Sequence, residues 1–140
     1  MFTIREGLQI IDFPKVTSML AATHWSPGIS EAEVRKGAEN STLVIGAFQE
    51  DGTQIGYARV LSDKTRFAYL MDVIVEEPFR ASGVGEAMIS YLLHHPELQD
   101  VYQWMLITTH AHEFYEKCGF VRTSRPRDLM EIRKPRPAGR

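Results

Sequence analysis

Three apolar runs in the middle of the chain set its plan. Residues 43–48 and 55–61 read as strands, and Glu50-Asp51-Gly52 between them carries an Asp-Gly hairpin signal. Ser62-Asp63-Lys64-Thr65 turns the chain again. The third run, Phe67–Val75, is nearly all apolar, as expected of a strand covered on both faces. Ahead of these, residues 2–5 alternate and form a short strand. Residues 13–23 place Val16, Met19 and Leu20 at helical spacing, with Pro14 in a first turn. Ser30 with Glu33 three residues on is a capping signature for a second helix over Glu31–Glu39. The loop between the two helices, Thr23-His24-Trp25-Ser26-Pro27-Gly28, holds an aromatic.

Beyond Pro78 the pattern changes. Arg80-Ala81-Ser82-Gly83-Val84-Gly85 is a loop that opens a helix, whose buried stripe is Val84, Ala87, Met88, Tyr91 and Leu92 and which Pro96 closes. Residues 101–108 form another apolar strand. Residues 110–117 form a short helix that Gly119 stops. Residues 120–121 and 129–132 read as two last strands. Strand-helix-strand around residues 83–96 forces a parallel pair, while the hairpins before it are antiparallel. The expectation is an α/β fold, a mixed sheet with helices on its faces. It forms one domain over residues 1–132, followed by a basic, Pro-containing tail at 133–140.

Composition narrows the function classes. A chain of 140 residues, 44% hydrophobic and 24% charged, has one globular core and is neither disordered nor collagen-like nor a coiled coil. The net charge of −2 argues against a nucleic-acid partner. The charge is uneven, however: residues 117–140 hold eight basic and two acidic side chains. The tail reads as a solvated end, with contact to nucleic acid or an acidic partner ranked last. The single cysteine, Cys118, excludes a disulfide framework and a cysteine zinc cluster, and reads as a small buried or half-buried thiol. The histidines lack converging carboxylates at ligand spacing, so no metal is expected. No run is long enough to span a membrane and the N-terminus lacks a signal pattern, so neither a membrane partner nor export is expected and the location is read as cytoplasmic.

The chemistry concentrates where the buried strand meets the Gly-bearing loop. Free amides at a helix start bind anions. Gly83 and Gly85 let a phosphate approach the backbone, and Arg80 adds a fixed positive charge. This is the design of a pyrophosphate site. A P-loop would need Gly-Lys-Ser/Thr, and a dinucleotide fingerprint would need a third glycine near Met88; neither is present.

Arg80-Ala81-Ser82-Gly83-Val84-Gly85 after an apolar strand resembles the Arg/Gln-x-x-Gly-x-Gly/Ala signature of the GNAT superfamily of acetyl-CoA-dependent N-acetyltransferases. A second element of that family follows in register: Ala111, then Tyr115-Glu116-Lys117-Cys118-Gly119-Phe120. The resemblance covers residues 2–132. It implies a central, mostly antiparallel sheet with one splayed parallel strand pair and helices on both faces. It further implies acetyl-CoA as co-substrate without a metal. The pantetheine arm would pair with the backbone of Val73 and Val75, and the pyrophosphate would be held by Arg80, Ala81, Ser82, Gly83, Val84 and Gly85. Ala111 would lie in the cofactor site, and Tyr115, near the sulfur, would be general acid to the departing thiolate. Many members carry an Asn seven residues before the tyrosine. Here Thr108 stands there, with fewer donors and acceptors for the pantetheine.

Four residues keep two readings each. Asp72, a carboxylate in an apolar strand, is a base or amine clamp, or the partner of an ion pair with Arg59. Its face alternates away from that of Val73 and Val75 unless a bulge resets the parity. Arg59 meets an anionic group of the substrate, or pairs with Asp72 or Asp63. His112, a helix neighbour of Tyr115, is a base or proton relay, or a surface histidine. Trp25 is a wall of the substrate pocket or a core tryptophan. The acceptor would be the amine of a small molecule or a peptide. The competing reading keeps the fold without catalysis, as an acyl-CoA-binding sensor. An exposed final strand would offer an edge for a homodimer.

Overall fold

The computed structural model describes residues 1–140 as two compact units, Met1–Leu106 and Ile107–Arg140. The first unit is built on a five-stranded sheet in the order β1 (Phe2–Glu6), β2 (Leu43–Gln49), β3 (Gln54–Ser62), β4 (Phe67–Val75) and β5 (Gln103–Met105). The first four strands are antiparallel neighbours; β4 and β5 run parallel. The mixed sheet expected from the sequence is present.

Helices α1 (Phe13–Ala21) and α2 (Glu31–Glu39) connect β1 to β2. Asp12 caps α1, its Oδ1 accepting from Lys15 N at 3.1 Å, and Ser30 caps α2 by accepting from Glu33 N at 3.2 Å. Their apolar faces meet the sheet in one core that joins Phe13, Val16, Leu20, Val34 and Ala38 to Val44, Tyr57 and Ile74. On the opposite face lies α3 (Val84–Leu93), which buries Val84, Met88, Ile89 and Leu92. Gly56 of β3 makes that approach possible, since a Cβ there would stand 3.1 Å from the Met88 thioether and 3.2 Å from Ala47 Cβ. The far end of α3 is tied to β1. The Tyr91 hydroxyl donates to the Glu6 carboxylate, and His95 Nε2 lies 2.9 Å from the same oxygen.

Both hairpins close as their sequences predict. Gly52, at φ +90°, donates to Gln49 O at 2.9 Å. Asp63 accepts from the amides of Thr65, Arg66 and Phe67 at 3.0, 2.8 and 3.1 Å. Those three donors hold its carboxyl far below the usual carboxylate range, the Arg66 amide contributing most.

The second unit contains α4 (His112–Lys117), closed by Gly119 at φ +103°. Here the structure departs from the sequence reading. The strand expected over 101–108 is confined to Gln103–Met105, and residues 120–121 and 129–132 form no strand. Two residues are too few to hold a ladder, and Pro126 opens a 3₁₀ turn just before Leu129. Leu129, Met130 and Ile132 are exposed, so the final strand on which a paired dimer would rest is absent.

Candidate functional site

The site begins with an irregularity in β4. Tyr57 faces Ile74 and Arg59 faces Met71, so Ala58 alone spans Asp72 and Val73. This is a β-bulge, and Asp72 adopts φ +55° to make it. The left-handed conformation costs a non-glycine residue about 1 kcal/mol. Aspartate is among the residues that tolerate it best. The bulge reverses the parity of the strand. Before it, Leu70 pairs with Val60 on the α3 face; after it, Val75 pairs with Gly56 on that same face.

The bulge also delivers the Asp72 carboxylate to Arg59. Arg59 Nε donates to Asp72 Oδ2 at 2.8 Å, with only 15% and 11% of the two side chains exposed. Arg59 Nη1 adds bonds of 3.3 Å to Gly37 O and to Ser41 Oγ at the end of α2. Gly37 leaves room for this, since a Cβ there would lie 3.3 Å from the guanidinium carbon. Arg59 and Asp72 thus partner each other at the floor of a cleft of about 380 Å³ beside α2, while Asp63 is occupied by its turn.

The outer edge of β4 is open beyond Tyr69, because β5 pairs only with Phe67, Ala68 and Tyr69. The parallel pair therefore splays. Glu76 N donates inward to Ile55 O, so the backbone groups of alternate residues, Val73 and Val75, point to the open side. One of them is engaged: Arg80 Nε donates to Val75 O at 2.8 Å. That bond fixes the guanidinium at the end of the strand and leaves its other N–H donors for a ligand.

Arg80 leads into the loop that starts α3. Ala81 and Gly83 both have positive φ, +60° and +89°, and Ser82 Oγ donates to Phe79 O. The first helical bond at this end is Ala87 N to Gly83 O at 3.0 Å, so the amides before it have no acceptor within the helix. A Cβ built on Gly83 meets nothing within 4 Å, so the space above the loop is clear. Exposed amides, an open approach and a tethered arginine fit a pyrophosphate.

A second cleft, of about 340 Å³, lies against this edge. Val73, Ile74, Val75 and Arg80 form one wall; Met19, His24 and Trp25, from α1 and the loop after it, form the other. Trp25 is 41% exposed, so it is no core residue. The structure thus gathers Trp25, Val73, Val75 and Arg80 around one cleft, and sets Arg59 with Asp72 in another. The sequence reading passed over His24. Its only signal there was adjacency to Trp25 in a short loop.

The remaining candidates belong to the second unit. Thr108 Oγ1 accepts from Ala111 N at 3.0 Å, which engages the hydroxyl in closing the turn before α4. His112 opens the helix and is half-buried. Tyr115 packs edge-on against Phe114 and Phe120, with ring centroids 5.0 and 5.9 Å apart. Burial, helped by the neighbouring Cys118 thiol, pushes its phenol up to about 12, so it stays protonated throughout the neutral range.

Comparison with known proteins now decides the family. The family model for the acetyltransferase (GNAT) domain matches residues 40–122, more than half of the chain. The chain belongs to the GNAT family. A crystal structure from Xanthomonas campestris pv. campestris, assigned to the same family, superposes with a TM-score of 0.89 at 32% identity, covering 96% of this chain and 94% of that one. An acetyltransferase of Clostridium acetobutylicum, solved with acetyl-CoA, shares the GNAT fold at a TM-score of 0.71 and 18% identity, covering 95% and 96% of the two chains. An uncharacterised N-acetyltransferase of Prochlorococcus marinus, ycf52-like, is 28% identical over 61% of this chain and 49% of its own length. The chain spans about half the length of the curated relatives it matches. No helix is long and apolar enough to cross a membrane.

Proposed function

We propose that this GNAT domain transfers the acetyl group of acetyl-CoA to the primary amine of a small molecule or peptide by direct attack. The observation that carries the reading is the open edge of β4, with Val73 and Val75 facing out, running straight into the Arg80–Gly85 loop at the start of α3. Val73 and Val75 would pair with the pantetheine arm, and the Val73 amide is a candidate donor to the oxygen of the tetrahedral intermediate. Arg80 and the amides of Ala81, Ser82, Gly83, Val84 and Gly85 would hold the pyrophosphate. Thr108 and Ala111, in the second unit, keep the cofactor contacts that the family resemblance implies, and Trp25 would wall the acceptor.

Tyr115 is assigned as general acid to the departing thiolate. Its phenol, held at about 12, is a far weaker acid than a thiol of ordinary pKa ~8.5, so complete transfer is uphill by roughly 5 kcal/mol. Its contribution is therefore hydrogen-bond donation to the sulfur as charge develops. Asp72, bound to Arg59, favours the ion-pair reading over that of a base. His112 is assigned as a relay to Tyr115, three residues on along α4.

Calorimetric titration with acetyl-CoA, beside a Gly83→Val variant, tests the proposal. The wild type should bind and the variant, whose side chain fills the clear approach, should not. A folded wild type that ignores acetyl-CoA would sink the cofactor assignment. Binding without thiol release in the presence of any amine of a broad panel would favour the sensor.

A further inference from the structure

The reaction needs a group to take the proton of the attacking amine, and the carboxylate that the sequence offers for it is bound to Arg59 in the other cleft. The cleft against the open edge of β4 has no carboxylate on its walls. Its charged residue is Arg80, which is permanently cationic and tied to Val75 O. The remaining titratable group there is the imidazole of His24.

We infer that His24 is the proton acceptor for the acceptor amine, a catalytic residue on the wall facing Val73–Val75. The inference rests on the proposed course of acetyl-CoA along that edge. His24 is exposed and stands edge-on to Trp25, ring centroids 5.2 Å apart and planes at 83°. Its loop is held in shape: Thr23 Oγ1 donates to Leu20 O at 2.7 Å and accepts from Ser26 N at 3.1 Å, and Gly28 N donates to Ala21 O at 3.1 Å. The ring is thus presented from a closed turn at the end of α1. An imidazole ring has a nitrogen that accepts a proton and, once protonated, both nitrogens donate, so the ring can pass the proton on to water.

The step balances. The amine nitrogen bonds to the thioester carbonyl carbon, and the C–S bond breaks with its electron pair going to sulfur. Before that attack the ammonium gives one proton to a ring nitrogen of His24, which later releases it to solvent; the second nitrogen proton, lost as the amide forms, goes to the departing thiolate. Trp25 holds the ring and flanks the amine, so an alkylamine that is an ammonium ion in solution is the acceptor class that depends on His24.

Three measurements on the full chain test this, with acetyl-CoA as the probe. Calorimetry on wild type and His24→Gln should give dissociation constants within about threefold, since Gln keeps a polar side chain at the mouth. In ¹³C-histidine-labelled wild type, the His24 imidazole signal, identified by its loss in His24→Gln, should move on saturation with acetyl-CoA. It should stay in place with adenosine 3′,5′-bisphosphate, which lacks the pantetheine arm and the acetyl group. Finally, His24→Gln should lower kcat for a primary alkylamine by about 10²-fold. Turnover of hydroxylamine, already unprotonated at pH 7, should stay within about threefold.

A His24 signal unmoved by bound acetyl-CoA would overturn the assignment, as would an equal loss with both nucleophiles. Failure of wild type to bind acetyl-CoA at all would instead overturn the proposed function, and this inference with it. The signal of His24 is read in wild-type protein, so the decision survives a variant that folds poorly.

Discussion

Asp72 and Arg59 form an ion pair with a structural consequence of its own. Each is mostly buried and each is the other's main partner. Removing one charge from such a pair leaves the other without compensation. Asn at position 72 tolerates the left-handed backbone and so isolates the charge from the bulge. Asp72→Asn should therefore lower stability by about 2 kcal/mol in urea unfolding, below the 3–5 of a fully buried pair because both groups touch solvent. Acetyl-CoA affinity should change less than threefold. A loss of turnover beyond 10²-fold at unchanged stability would return Asp72 to the role of base. Tyr115 makes the opposite case. Its phenol is raised to about 12 in the folded chain against an ordinary value near 10, so the folded state favours the protonated form. That contribution to stability is complete below about pH 10 and fades as pH climbs through 12. A pH–kcat profile should accordingly show no tyrosine limb below pH 10, while Tyr115→Phe lowers kcat by about 10²-fold across the range. A basic limb near pH 9 that vanishes in Tyr115→Phe would contradict the raised phenol.

At the scale of elements, the proposed site depends on how α3 lies on the sheet, because α3 carries the proposed anion loop at its start. Two glycines separate that dependence from general stability. Gly52 needs its positive φ in the β2–β3 turn, but a Cβ there meets nothing. Gly52→Ala should cost about 1 kcal/mol and leave acetyl-CoA binding unchanged. Gly56 has no unusual φ, but a side chain there runs into Met88 of α3. Gly56→Val should cost about 2 kcal/mol by overpacking and weaken acetyl-CoA binding at least fivefold, because the helix must shift with its loop. Equal binding by the two variants would mean that the loop is set independently of the helix seat. The same scale explains what was legible beforehand. The two capped helices, both hairpins and the stop at Gly119 follow from local chemistry within a few residues, and all are present. The strand over 101–108 is shorter than its apolar run suggests, and Tyr102 and Ile107 of that run are exposed.

For the whole molecule, ligand binding should show as stability. A ligand that binds only the folded state at 100-fold over its Kd adds about 2.7 kcal/mol. For a chain of 140 residues that corresponds to a rise of roughly 8–10 °C in the melting midpoint. Acetyl-CoA should raise the wild-type midpoint by that amount and leave Gly83→Val within about 1 °C of its unliganded value. Fluorescence of Trp25 and Trp104 and far-ultraviolet dichroism, followed together, check this. A stabilisation equal in both proteins would place the ligand somewhere other than the Gly83 loop. Global charge is a weaker guide than this site. The net charge of −2 conceals a basic C-terminal stretch, and only the distribution along the chain reveals it.

The sequence by itself determined the order of elements as far as α4 and the parallel crossover, and marked the loop from Arg80 to Gly85 as the proposed anion site. Each depends on spacing along the chain and on conformations that few residue types can adopt. The second GNAT element around Tyr115 was equally legible, since it too is a run of neighbours. Tertiary structure alone decided the rest. That Asp72 meets Arg59 turned on a bulge, and a bulge is set by register against β3 rather than by the residues of β4. That His24 and Trp25 stand across from Val73–Val75 depends on segments some fifty residues apart in the chain packing side by side. Local pattern carries no record of which loop a strand edge will meet, because that meeting is settled by how the helices seat on the sheet.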